Sequence, residues 1–173
     1  FINSPVIAIT GTNGKSTTTA LTDFILRSAG LNSVAAGNIG DALSSFVMNV
    51  PEDTIFVLEI SSFQIDHIKT FKPDIATILN ITPDHLDRYN DNFQDYINSK
   101  FNLLKNMSYP DHFLLNSDEP LLSSNLPDTD IVIWNFSVKD KVDNGAFLNN
   151  GVIYTALNGI EKKVMDSSEM FIK

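Results

Sequence analysis

The segment Thr10-Gly11-Thr12-Asn13-Gly14-Lys15-Ser16-Thr17 sets two glycines, a lysine and four hydroxyl groups within eight residues. A phosphate group is matched by such a run. Loop amides and the positive end of a following helix attract the anion. Lys15 would reach the outer phosphates of a nucleoside triphosphate, and the Ser16 hydroxyl would supply an oxygen to magnesium. The apolar run Val6-Ile7-Ala8-Ile9 precedes the loop as a strand would. Ala20, Leu21, Phe24, Ile25 and Leu26 follow it at helical spacing. Strand, glycine loop, Gly-Lys-Ser and helix together read as a P-loop. The strict pattern has a glycine five residues before Gly14, where Ile9 stands, so the loop is a shortened variant. A glycine turn that merely caps a helix is the competing reading. Lys15-Ser16 directly after Gly14, between a strand and a helix, favours phosphate.

Two other strand ends carry polar groups. Glu59 closes the continuous apolar run Ile55-Phe56-Val57-Leu58. A carboxylate there holds magnesium, directly or through water, or caps the next helix. Asn80 to His85 follow Asp74–Leu79, a second buried run. Thr82-Pro83-Asp84 reads as an N-cap, a proline at the first helical position and an acid in the first turn, which puts His85 in that turn. His67 and His112 lack such a setting and read as structural. A helix from Phe93 to Met107 has Phe93, Ile97, Phe101 and Leu104 on its apolar face. Lys100 flanks that stripe and, taken alone, reads as a lysine that lays its stem along the helix and reaches water.

These groups need a frame that gathers strand ends. Ser33–Ala36, His112–Leu115 and Ile131–Trp134 read as further strands, and helices are expected from Asp41 and from Ser61 or Ser62 to Ile68. Alternating strands and helices predict an α/β fold, a mostly parallel sheet with helices on both faces. Ligands then bind at the carboxyl ends of the strands. Ala146–Leu148 and Val152–Thr155, around Asn149-Asn150-Gly151, predict a small antiparallel hairpin near the C-terminus, which a strand near Lys163–Met165 extends.

The 173 residues suit one domain. A net charge of −9 argues against a nucleic-acid or anionic-membrane surface. The absence of cysteine excludes disulfides and thiolate metal sites, which fits a cytoplasmic protein. No apolar run approaches the roughly 18 residues of a membrane span. Phe1-Ile2-Asn3-Ser4-Pro5 lacks a basic signal-peptide start, and the missing methionine marks a possible excerpt. No Asn-Lys-x-Asp motif supports a GTPase.

Four segments together resemble the central domain of the Mur ligases. They are Thr10–Thr17, Gly37-Asn38-Ile39-Gly40, Leu58-Glu59-Ile60-Ser61-Ser62-Phe63-Gln64-Ile65, and Leu79-Asn80-Ile81-Thr82-Pro83-Asp84-His85-Leu86-Asp87-Arg88-Tyr89. The shortened glycine loop is that family's form. Ser-Ser-Phe-Gln and Asp-His-Leu-Asp-Arg-Tyr are most similar to the branch that adds D-glutamate to UDP-N-acetylmuramoyl-L-alanine in peptidoglycan synthesis. The alternatives are another Mur-type ligase or a folylpolyglutamate synthase-like one.

The resemblance implies ATP and magnesium as cofactors. Gly11, Thr12, Asn13, Gly14, Lys15, Ser16 and Thr17 would hold ATP. Ser16 and Glu59 would hold one magnesium ion, and His85 would help hold a second. Asn38, Ser61 and His85 would contact the muramoyl-alanine substrate. Lys15, His85 and Lys100 would be catalytic. Lys100, in Tyr96-Ile97-Asn98-Ser99-Lys100, matches a lysine that the family carries as a carbamate, an anion with two oxygen ligands for a metal. The resemblance also implies a monomer with UDP-binding and amino-acid-binding domains outside these 173 residues. The Gly-x-His-Asn segment near the adenine would lie outside them too. The excerpt alone would then be a nucleotide-binding module.

Overall fold

The structure, a computed structural model, describes residues 4–46, 50–51 and 53–170. Apolar, β-branched runs form six strands: β1 (Val6–Thr10), β2 (Ser33–Gly37), β3 (Ile55–Glu59), β4 (Ile75–Ile78), β5 (His112–Asn116) and β6 (Val132–Ser137). Three more follow: β7 (Gly145–Asn149), β8 (Val152–Leu157) and β9 (Ile160–Asp166). Together they make one sheet in the order β2-β3-β1-β4-β5-β6-β7-β8-β9. All pairs from β2 to β7 are parallel, and only β7–β8 and β8–β9 are antiparallel. The C-terminal hairpin therefore extends the main sheet. Its turn has Asn150 and Gly151 both at positive φ, 49° and 76°, as a two-residue turn between twisted strands requires.

Helix α1 (Lys15–Ser28) packs on β1, β2 and β3. Helices α2 (Ser62–Ile65), α3 (Phe93–Phe101) and α4 (Pro120–Asn125) join the large core cluster. Side chains alternate across a strand. Val6, Ala8, Phe56, Leu58, Ala76 and Ile78 belong to that cluster, while the buried Ile9 and Val57 point to the face that α1 covers. Both faces of the central strands are thus buried, and their ends project polar residues at one edge.

Several elements differ from the sequence reading. The region from Asp41 holds a 3-10 turn, Leu43–Ser45, and residues 47–49 of the expected helix lie outside the described residues. Helix α2 is a single turn. Beyond it His67 and Ile68 donate to Gln64 and Ile65, the tighter bonding of a 3-10 turn. Helix α3 ends at Phe101 and tightens into a 3-10 turn, Asn102–Leu104, so the expected run to Met107 is shorter. Helix α4 was missed between β5 and β6. Its six residues, with a proline in the first turn, are too few for a helical period.

The expected helix start at Thr82-Pro83-Asp84 is absent. The Thr82 amide donates to Thr12 Oγ1 at 3.0 Å, and that hydroxyl donates to the Thr82 carbonyl at 3.1 Å. This exchange spreads the segment along the glycine loop. A 3-10 turn forms only at Leu86–Tyr89, and His85 precedes it at φ 50°.

Candidate functional site

Glu59 is the centre of the polar edge. It is 2% exposed at the end of β3. Strand order brings it beside both β1 and β2, so the residues that follow those strands meet it. The Ser16 hydroxyl, in the first turn of α1, donates to its Oε2 at 2.7 Å. The Asn38 side-chain amide, just past β2, donates to its Oε1 at 2.9 Å, and the Asn38 backbone amide donates to the Glu59 carbonyl at 2.9 Å. Gly37 permits this approach. At φ 107°, a Cβ on it would stand 2.3 Å from the Glu59 carbonyl oxygen.

The glycine loop closes over two ammonium groups. Lys15 Nζ donates to the carbonyls of Gly11 and Thr12 at 3.0 and 2.9 Å. Lys100 Nζ donates to the same Gly11 oxygen at 3.1 Å and lies 4.6 Å from the centre of the Tyr96 ring. Lys100 is not the snorkelling residue that its helix position suggests. It is 2% exposed, because α3 turns Tyr96, Ile97, Lys100 and Phe101 toward the sheet. Asn92 fixes the start of that helix, its Oδ1 accepting from the Gln94 amide at 2.9 Å. Burial, then the Lys15 charge, lowers the Lys100 pKa from 10.5 to about 8, with Asp84 pulling the other way. Burial also raises the Tyr96 phenol above its ordinary value.

Ser61, the N-cap of α2, is 7% exposed; its hydroxyl and backbone amide both donate to Gln64 Oε1, at 2.8 and 2.9 Å. His85 stands apart from the Glu59 cluster in burial. Its side chain is 61% exposed, and Nε2 lies 3.6 Å from Asp84 Oδ2. His112, read from the sequence as structural, accepts at Nδ1 from Trp134 Nε1 at 2.9 Å.

Sequence reasoning gave no role to three groups that hold the loop. Asn80 bonds the backbone of Thr12 and Asn13 through its side chain. The Tyr96 hydroxyl lies 3.2 Å from Thr12 Oγ1. Asn116, at the end of β5, donates to the Leu79 carbonyl at 2.8 Å. Strand order, with β4 between β1 and β5, brings Asn80 and Asn116 into place, and the packing of α3 brings Tyr96. A small cavity of about 240 Å³ adjoins Glu59, lined by Gly37, Leu43, Ile60, Gln64 and Phe71 among others.

Known proteins are similar to this chain in sequence and in fold. A ligase described as "UDP-N-acetylmuramoylalanine--D-glutamate ligase" from Thermoanaerobacter sp. (strain X514) is 42% identical over 172 residues, 99% of this chain and 38% of its own length. A protein of the same description from Christiangramia forsetii is 40% identical over 183 residues, 100% of this chain and 39% of its own. The chain therefore spans about two fifths of the length of these relatives. Among solved structures, a UDP-N-acetylmuramoyl-L-alanyl-D-glutamate--2,6-diaminopimelate ligase superposes with a TM-score of 0.69 at 19% identity, over 92% of this chain and 38% of that one. The family model for the Mur ligase middle domain matches residues 9–172, and the chain belongs to the Mur ligase family through that domain.

Proposed function

We propose that this chain is the ATP-binding part of a ligase that joins D-glutamate to UDP-N-acetylmuramoyl-L-alanine. The observation that carries the reading is the Ser16–Glu59–Asn38 cluster beside a loop holding Lys15 and Lys100. Relatives at 40–42% identity described as D-glutamate ligases support the choice of amino acid. The UDP-binding and amino-acid-binding parts belong, in this proposal, to the rest of a longer cytoplasmic protein.

A carboxylate resists attack by an amine, because its charge repels the nucleophile and oxide leaves poorly. Phosphorylation removes both obstacles. An oxygen of the alanyl carboxylate attacks the γ-phosphorus of ATP, the bond to the bridging oxygen breaks, and ADP leaves. The amine of D-glutamate attacks the acyl carbon and loses a proton, and inorganic phosphate departs. The ammonium of Lys15 offsets charge on the outer phosphates, and the amides at the start of α1 hold them. Asn38, Ser61 and the exposed His85 would face the muramoyl-alanine end.

The donor set fits magnesium. One carboxylate and one hydroxyl match an ion that takes few protein oxygens and fills its shell with water and phosphate oxygens. Ser16 and Glu59 would hold it. When bound, the ion neutralises phosphate charge. As an ammonium, Lys100 does not fit a second metal. With a pKa of about 8, roughly one Lys100 in ten is a free amine at pH 7, against about one in three thousand at the ordinary value. A free amine adds carbon dioxide, forming an N–C bond and releasing a proton. The resulting carbamate, with His85, would then supply a second site.

The test is Lys15→Ala in the full-length enzyme with chemical trapping of the acyl phosphate. The proposal expects no trapped product. Trapping at the level of the unaltered enzyme contradicts it.

A further inference from the structure

We propose that Asn80 is a positioning residue that decides which loop amides are left for phosphate. The inference rests on the phosphate-loop reading above. Asn80 directly follows Leu79 at the end of β4, and its carboxamide is used three times. Oδ1 accepts from the Thr12 amide at 3.1 Å and the Asn13 amide at 2.8 Å, and Nδ2 donates to the Asn13 carbonyl at 3.0 Å. The Asn80 carbonyl takes a further bond from the Thr12 amide at 3.0 Å. Three successive peptide groups of the loop, from Gly11–Thr12 to Asn13–Gly14, are therefore locked to one side chain.

The lock has a consequence for the ligand. The Thr12 and Asn13 amides point at Asn80 and are withdrawn from phosphate. The amides of Lys15, Ser16 and Thr17 lie in the first turn of α1, where no intrahelical acceptor exists, and no side chain caps that end. The phosphate-holding set then loses the Thr12 and Asn13 amides and centres on the Lys15–Thr17 turn with the Lys15 ammonium, a narrower set than the whole Gly11–Thr17 stretch.

Asn80 is itself held from behind. The Leu79 amide donates to the Thr10 carbonyl at 2.9 Å, and the Leu79 carbonyl accepts from Asn116 at 2.8 Å. β1 and β5 thereby fix the backbone from which Asn80 reaches. The position needs a carboxamide, the group that offers an acceptor for two amides and a donor for one carbonyl. Aspartate keeps the acceptor, loses the donor and adds a negative charge beside the loop.

The experiment uses the full-length enzyme with Asn80→Ala and Asn80→Asp. Amide hydrogen exchange at Thr12 and Asn13 is measured with MgADP affinity and the KM values for ATP and for the carboxylate substrate. In Asn80→Ala, exchange at the Asn13 amide accelerates and MgADP affinity falls, each by about tenfold or more, while Thr12, which keeps the Asn80 backbone carbonyl as acceptor, changes less and the carboxylate KM stays within about twofold. In Asn80→Asp, exchange stays slow but MgADP affinity falls. Exchange and MgADP affinity in Asn80→Ala within twofold of the unaltered enzyme would overturn the proposal. So would fast Asn13 exchange in Asn80→Asp, which keeps the acceptor and also stands in if the alanine variant does not fold. Failure of the unaltered enzyme to bind MgADP would instead sink the functional reading, and the exchange rates alone would still decide whether Asn80 holds the loop.

Discussion

Lys15 and Lys100 donate to one oxygen, the carbonyl of Gly11, at 3.0 and 3.1 Å. The residues are 85 positions apart in sequence. One carbonyl cannot neutralise two ammonium groups, and the more deeply buried of the pair yields. Lys100 therefore holds its proton less tightly than an ordinary lysine.

That burial has a cost in stability. The fall from 10.5 to about 8 corresponds to about 3 kcal/mol. Between those values the folded state binds fewer protons than the unfolded one. Stability therefore rises with pH across that window, and the penalty is fully present below pH 8. Lys100→Met should gain up to about 3 kcal/mol at pH 7 and lose this rise. Urea unfolding at several pH values, in buffers free of carbon dioxide, measures both. Parallel pH profiles for the two proteins would contradict the burial account.

The free-amine fraction of Lys100 predicts carbamate formation. Full-length protein in carbon-13 bicarbonate should show a carbamate resonance that Lys100→Ala lacks. Identical spectra for the two proteins would exclude the modification at this lysine.

Glu59→Gln preserves volume and removes the charge that Ser16 and Asn38 surround. Turnover should fall by about a hundredfold or more, with a higher magnesium requirement, because the remaining ligands are neutral. Magnesium titration of phosphate release checks this. An unchanged titration curve would remove Glu59 from the metal site.

Gly37→Ala should separate Asn38 from Glu59. A Cβ at 2.3 Å from the Glu59 carbonyl oxygen forces the backbone to move, at a cost of about 1–3 kcal/mol. Gly40→Ala is the control. Gly40 also has positive φ, at 61°, but a Cβ there meets nothing within 4 Å. Thermal unfolding and turnover should separate the two variants, and equal behaviour would show that close approach is unimportant.

The strands were legible because a buried parallel sheet needs continuous apolar runs, and Ile55–Leu58 and Ile75–Leu79 are such runs. The meeting of Ser16 with Glu59 was legible because the glycine loop and Glu59 each close a strand at the same end of the parallel sheet. Lys100 was not legible from local pattern. Helical spacing places it beside an apolar stripe, and only packing beneath the glycine loop shows that it is enclosed. His85 was misplaced because capping rules are local, whereas Thr82 is held by Thr12 from 70 residues away. Asn80 was legible as a polar strand-end residue but its role was not, since its partners depend on strand order.

The central claim is that this site serves a ligase specific for D-glutamate. The direct measurement is phosphate release by the full-length protein with ATP, magnesium and UDP-N-acetylmuramoyl-L-alanine. A panel of amino acids is offered: D-glutamate, L-glutamate, L-lysine and diaminopimelate. The account predicts release with D-glutamate alone. Release with another member of the panel, or none with D-glutamate, would contradict it.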